Sequence, residues 1–271
     1  MVKTACQFVF FILPFISVAQ VNLPNTPQDK STPVINTITH KIGNSRIRIQ
    51  TFQYGDRKDI VFISLHDNEF TGLEPTKLLL EEHGGLLIKI ENNYNRNINF
   101  SLDQRSYTFD PNRMFSKIGI QKTLKSFGRT NSKAVNEVDK FTKRILQLFP
   151  KGFNCAIALH DNTDGGYSVK HYQSGNQYGN DARLVSIEAS QDPDDFFLTT
   201  DSLLFHQLSA KKYNTILQHN QRAKQDGSLS VYFGKKNIRY LNCETQHGKT
   251  AQFKEMMETA IHCLKEMQGG K

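Results

Sequence analysis

The stretch Asp59-Ile60-Val61-Phe62-Ile63-Ser64-Leu65-His66-Asp67-Asn68-Glu69 joins an almost unbroken apolar run to a polar tetrad. A short apolar run of this kind reads as a buried strand. The tetrad then falls at its carboxyl end, where a His and a Glu three positions apart can reach one metal ion. The motif is weak alone. The chain has nine His, and a His-x-x-Glu arises by chance in about every second chain of this size. Its meaning depends on what the neighbouring segments bring to the same place.

Working outward, Ser45 to Phe52 alternates Ile47, Ile49 and Thr51 with Arg46, Arg48 and Gln50, a half-exposed strand. Tyr54-Gly55-Asp56 turns the chain into the buried run. On the other side, Gly72 to His83 reads as a helix stopped by Gly84-Gly85, and Leu86 to Ile90 as a strand. Residues 91–117 are polar, aromatic and rich in Asn, without periodicity; a loop of that length in a compact domain is usually functional. Asn131-Ser132 can cap a helix to about Leu148, with Val135, Val138, Phe141, Ile145 and Leu148 on one face. Asn154 to Leu159 reads as a strand, followed by the turn-rich His160-Asp161-Asn162-Thr163-Asp164-Gly165-Gly166. Leu184–Glu188 and Phe196–Thr199 read as strands, and Asp201 can cap a helix to about Lys212. Ser230–Phe233 and Ile238–Cys243 read as the last strands, and Lys249–Met267 as a C-terminal helix. Strands alternating with helices predict a single α/β domain over residues 45–271, with a mixed central β-sheet and helices on both faces.

Hydrophobic content of 38% and charged content of 22% suit a globular domain, and the net charge of +8 comes from scattered basic residues. No dense basic block interleaved with aromatics is present, so nucleic acid is not expected as a partner. Lys3, the apolar Phe8–Val18 and the small residues Ser17-Val18-Ala19 have the layout of a cleavable signal peptide over residues 1–19. A secreted or periplasmic location follows, without stable membrane insertion. The proline-rich, polar start of residues 20–44 reads as a flexible leader. After cleavage Cys155, Cys243 and Cys263 remain. An odd number allows at most one bridge, and Cys155 with Cys243 is left open between a disulfide and buried thiols.

His66, His160 and Glu244 each follow a predicted strand, and open α/β sheets build their sites at the carboxyl ends of strands. His171 and His247 are spare ligand candidates. Between the first two lies Arg105-Ser106-Tyr107-Thr108-Phe109-Asp110-Pro111-Asn112-Arg113. The ordered set of His-x-x-Glu, Asp-x-Asn-Arg, a strand ending in Leu159-His160 and a strand ending in Glu244 resembles the zinc carboxypeptidase superfamily. Leu159-His160-Asp161-Asn162-Thr163 and an arginine seven positions before Asn112 are most similar to its succinylglutamate desuccinylase and aspartoacylase branch. The resemblance covers roughly residues 45–250.

The resemblance implies a zinc carboxypeptidase-like fold and one Zn2+ per chain, held by His66, Glu69 and His160. It implies that Asp110 accepts a hydrogen bond from a ligand His, that Glu244 is the general base, and that Arg105 stabilises the oxyanion. Asn112 and Arg113 would hold a substrate carboxylate. The interval between His160 and Glu244 is longer than the branch leads one to expect. Residues 164–237 are therefore expected to carry specificity elements, with Asp161–Ser168 along the pocket and Tyr167, Tyr172 and Tyr178 unassigned. The reading is an exported zinc metallocarboxypeptidase that cleaves an amide bond next to a free carboxylate in a small peptide or muropeptide. An N-acyl amino acid deacylase and a catalytically silent binding module on the same fold are the alternatives.

Overall fold

The chain first lays down two strands, β1 (Val34–Ile42) and β2 (Ser45–Tyr54), as an antiparallel hairpin in register from Val34 opposite Gln53 to Ile42 opposite Ser45. The computed structural model describes Met1 and residues 32–269. The expected signal peptide, Met1 apart, and residues 20–31 of the expected leader lie outside the described residues. The leader does not extend to residue 44: β1 belongs to the sheet. Its side chains are mostly exposed because it is an edge strand, so it lacks the apolar density that marks a buried one.

The buried run forms β3 (Ile60–Ser64), followed by α1 (Leu73–His83) and β4 (Gly85–Glu91). Gly84, with φ of 71°, ends the helix where a side chain would be strained. The long polar segment holds more order than its composition suggests. It contains the hairpin β5 (Ile98–Leu102) and β6 (Arg105–Phe109), and it runs into α2 (Lys117–Ser126), capped by Ser116. Then come α3 (Ser132–Leu146), capped by Asn131, and β7 (Cys155–Asn162). β8 (Ala182–Ser186), β9 (Phe196–Thr199), α4 (Ser202–Ala210) and β10 (Thr215–Gln218) follow. The last elements are α5 (Leu229–Lys235), β11 (Arg239–Gln246) and α6 (Thr250–Gly269). The segment 230–233 is therefore helix, where a strand was expected. Ser228 accepts the Val231 N–H as an N-cap, and Leu229 and Phe233, one helical turn apart, both enter the core.

Nine strands form one mixed sheet in the order β1-β2-β4-β3-β7-β11-β9-β10-β8. Successive residues of the central strands face opposite layers, as the pleat requires. Val61 and Ile63 pack with α2, α3 and α5, while Ile60 and Phe62 pack with α1, α4 and α6. The α/β sheet with helices on both faces is thus as expected. β4, β3, β7 and β11 run parallel side by side. The chain leaves β3 for β4 on one side and later adds β7 on the other, which opens a crevice at the carboxyl ends of β3 and β7. Cys155, Cys243 and Cys263 are free and buried. Cys155 pairs with Arg239 and Cys243 with Leu159, an offset of four residues or roughly 13 Å along the strands, too far for a bridge.

Candidate active site

Register brings the ligand candidates level. Ile63 pairs with Ala158, and Glu244 with His160, so β3, β7 and β11 deliver His66, His160 and Glu244 to one edge of the sheet. His160 and Glu244 do not follow their strands as expected but lie inside them, two residues before the last pair, because β7 and β11 stay paired to Asn162 and Gln246. Strand backbone therefore holds both side chains. Glu69 comes back to His66 through a turn in which its N–H donates to the His66 carbonyl at 3.3 Å.

The ligand atoms of His66, Glu69 and His160 lie within 4.8 Å of one another, and all three residues are buried. His160 Nδ1 is 2.7 Å from Glu69 Oε2, and His66 Nδ1 is 2.9 Å from Glu69 Oε1. On its other side, His66 Nε2 donates to Asp110 Oδ1 at 2.8 Å. Asp110 is itself placed by its backbone N–H donating to Thr123 Oγ1 at 2.9 Å, and its carboxylate caps the turn at Pro111–Arg113 through the Asn112 N–H. Burial opposes the charge of Glu69 and of Asp110, yet the histidines facing them hold both carboxyls well below the usual carboxylate range.

These residues fit a zinc ion. With Nε2 donating to Asp110, the Nδ1 of His66 faces only the Glu69 carboxylate, 2.9 Å away but without hydrogen-bond geometry, two acceptor groups turned toward one point as they would be around a metal. Two imidazoles and one carboxylate form a donor set known from catalytic zinc sites. Among the described residues no other such group occurs. His171 is turned to Ser168, and His247 is exposed beside Asp161, so neither spare histidine joins the cluster.

Glu244 is 7% exposed at the same edge. Burial pushes its carboxyl up, to about 7; His160 draws it down, Glu69 raises it further, and the Asn242 amide, donating to Oε1 at 3.1 Å, draws it down again. Around this centre lies a cavity of about 630 Å³, lined by Glu69, Asn112, Arg113, His160 and Glu244 among others. Arg113 turns Nη1 to the Asn112 carbonyl at 2.8 Å and holds Nε 3.6 Å from Asp226. Asn112 is half committed: its Oδ1 accepts the Leu229 N–H at 3.2 Å, and its Nδ2 stands 3.5 Å from His160 Nε2.

Arg105 is elsewhere. Asp103 and Gln104, both with positive φ, make the two-residue turn between β5 and β6, and Arg105 is exposed at that tip. Arg96 lines the cavity instead. Its guanidinium touches Glu69 Oε1 and comes within 3.9 Å of Asp110 Oδ2. The sequence held one signal for this. Ile98, Phe100 and Leu102, then Tyr107 and Phe109, alternate as a hairpin would, and a hairpin carries Arg105 away from the strand ends. Of the segment expected to line the pocket, Asp161, Asn162, Thr163, Gly166 and Tyr167 do so. Tyr167 and Tyr172 share a hydroxyl–hydroxyl hydrogen bond and, with Tyr178 and Tyr240, form an aromatic wall behind Glu244. Burial raises the phenols of Tyr167, Tyr172 and Tyr240, keeping them neutral hydrogen-bonding groups.

Scans against protein-family models and curated proteins find no match. Among solved structures, the chain is similar to an aspartoacylase family protein from Mesorhizobium loti, at 14% identity and TM-score 0.46, covering 89% of this chain and 71% of that one. It is similar to the cell shape determinant protein Csd4 from Helicobacter pylori, at 14% identity and TM-score 0.44, covering 86% of this chain and 54% of that one. Thrombin activatable fibrinolysis inhibitor is a third, at 11% identity and TM-score 0.46, covering 88% and 70%. Identities and scores this low leave the chemistry to be read from the site itself.

Proposed function

We propose that this chain is a zinc-dependent hydrolase that cleaves an amide bond next to a free carboxylate, acting as an exported carboxypeptidase on small peptides or muropeptides. The observation that carries the reading is the grouping of the buried His66, Glu69 and His160, the buried Glu244 and the guanidinium of Arg113 around one cavity. His66 and His160 would hold zinc through Nδ1, and Glu69 through its carboxylate. When bound, zinc supplies Lewis-acid chemistry, polarising a carbonyl and acidifying water.

The remaining steps belong to the chain. Arg113 takes the terminal carboxylate by charge-assisted hydrogen bonds and so sets the scissile amide over the centre. Glu244 removes a proton from the attacking water and returns it to the leaving amine. Its burial beside the centre, which favours the protonated form, disposes this carboxyl to take up a proton and hand it on. Arg96, rather than Arg105, stabilises the negative charge that develops on the carbonyl oxygen. Asp110 keeps His66 in the tautomer that leaves Nδ1 unprotonated.

The test compares a good peptide substrate with its C-terminal amide, assayed on metal-loaded protein. Wild type should cleave the amide at least about 100-fold less efficiently, the scale of a lost desolvated charge contact. Arg113→Ala should discriminate little, and Arg113→Lys should be poorly tolerated because an ammonium lacks the planar fork. Equal cleavage of acid and amide by wild type would remove the carboxylate from the reading. Turnover of N-acyl amino acids in place of peptides would make the enzyme a deacylase. Full metal loading with no turnover of either would leave a binding module.

A further inference from the structure

Asp67 sits between two metal-ligand candidates in sequence, yet it takes no part in their cluster. Its carboxylate is 4% exposed and faces the loop between β4 and β5. Oδ2 accepts the N–H of Asn92 at 2.6 Å and the N–H of Tyr94 at 2.9 Å, and Oδ1 accepts from Lys89 Nζ at 2.5 Å. The loop it grips is in an unfavourable shape. Asn93 and Tyr94 have φ of 51° and 60°, left-handed values that Asn tolerates and a bulky Tyr seldom adopts. Side chains inside the loop add their own bonds: Asn92 Nδ2 donates to the carbonyls of Asn95 and Asn97, and Asn95 Nδ2 to those of Asn92 and Asn93. From outside, the Tyr94 ring meets Phe70, the residue after Glu69, edge to face at 5.7 Å. Two residues past Tyr94 comes Arg96, with its guanidinium against Glu69. Such a backbone persists where surrounding contacts over-determine it, and Asp67 supplies the hydrogen bonds from the His66–Glu69 turn to the loop's backbone.

We propose that Asp67 is a positioning residue for Arg96, strapping loop 92–97 to the metal-ligand turn so that the guanidinium stands beside the reacting carbonyl. This rests on the role given to Arg96 above. A purely structural Asp67, serving only to neutralise Lys89, would leave the loop and Arg96 in place when it is replaced.

The experiment measures amide exchange of Asn92 and Tyr94 by NMR, zinc content, and peptide turnover in Asp67→Ala, Arg96→Ala and the double variant. In Asp67→Ala the two amides should exchange at least about ten-fold faster, with zinc content unchanged. Turnover should fall about 10²–10³-fold, to the level of Arg96→Ala, as for a lost oxyanion donor. KM should change less than kcat, and the double variant should be no slower than Arg96→Ala alone, because the strap acts through that residue. Unchanged amide exchange, loss of zinc, or multiplying defects in the double variant would overturn the strap. Loosened amides combined with normal turnover in Arg96→Ala would instead overturn the role of Arg96, leaving the strap as loop architecture. Should the alanine variant fail to fold, Asp67→Asn keeps the side-chain shape and is read by the same comparisons.

Discussion

Glu244 shows how much one buried carboxylate can do at this sheet edge. It accepts a hydrogen bond from Asn242 and touches no cation among the described side chains, and burial holds its carboxyl near 7. In metal-loaded enzyme, Glu244→Gln should keep zinc and fold while turnover falls about 10²–10⁴-fold, the usual contribution of a general base. The same residue sets a pH dependence in metal-free protein. Between its usual 4.5 and about 7, the folded state keeps a proton that the unfolded chain has released. Stability therefore falls as pH rises through that window, by about 3 kcal/mol in all. Urea midpoints at pH 5 and pH 8 should drop further in metal-free wild type than in Glu244→Gln. His66, raised by its carboxylate neighbours against the effect of burial, adds a fall with the same sign in both proteins and cancels from the comparison. That His66, Glu69, His160 and Glu244 gather at one sheet edge was legible in the sequence because strand ends announce themselves. The place of Arg105 was not, since it depends on a hairpin that turns it outward and leaves Arg96 in the cavity.

Elements with a strong pattern and a cap were the legible ones. In α3, Asn131 accepts the Ala134 N–H at 2.7 Å, and Val138, Phe141 and Ile145 are buried on one face. The Asn131 amide also donates to the Tyr107 hydroxyl at 2.5 Å, tying the helix start to β6. Asn131→Ala should cost about 1–2 kcal/mol, a lost cap with a lost tertiary bond added, read as a shift in urea midpoint at unchanged slope. Elements missed from sequence lack one of those two signals. β1 is mostly exposed, β10 is four residues long, and α2 carries Lys117, Lys122 and Lys125 over a short apolar stripe. In α5 the run Leu229-Ser230-Val231-Tyr232-Phe233 alternates as a strand does, and only Ser228 points to a helix. For so short an apolar run the two periods do not separate.

For the whole molecule, metal and fold should be linked. The three ligand candidates come from segments distant in sequence, and a zinc ion bound to them is bound only in the folded state. At 100 times its Kd, zinc should add about 2.7 kcal/mol, or roughly 5–10 °C in Tm for a domain this large. His66→Ala and His160→Ala should lose that increment together with bound metal, while Arg105→Ala should keep both. No helix among the described residues is long and apolar enough to cross a membrane.

The place of β11 has a consequence for how the molecule assembles. It is the last strand in the chain, yet it lies inside the sheet, parallel to β7 on one side and antiparallel to β9 on the other. Without it, the remaining strands fall into two groups with no pairing between them, β1-β2-β4-β3-β7 and β9-β10-β8. Closing them requires contacts of high sequence separation, the kind that slows folding. Glu244 rides on this strand, so the step that unites the two halves is also the step that brings in Glu244. In refolding from urea, protein should gain zinc affinity from the earlier half, but amide-bond cleavage should return only in the slowest phase, together with burial of β11.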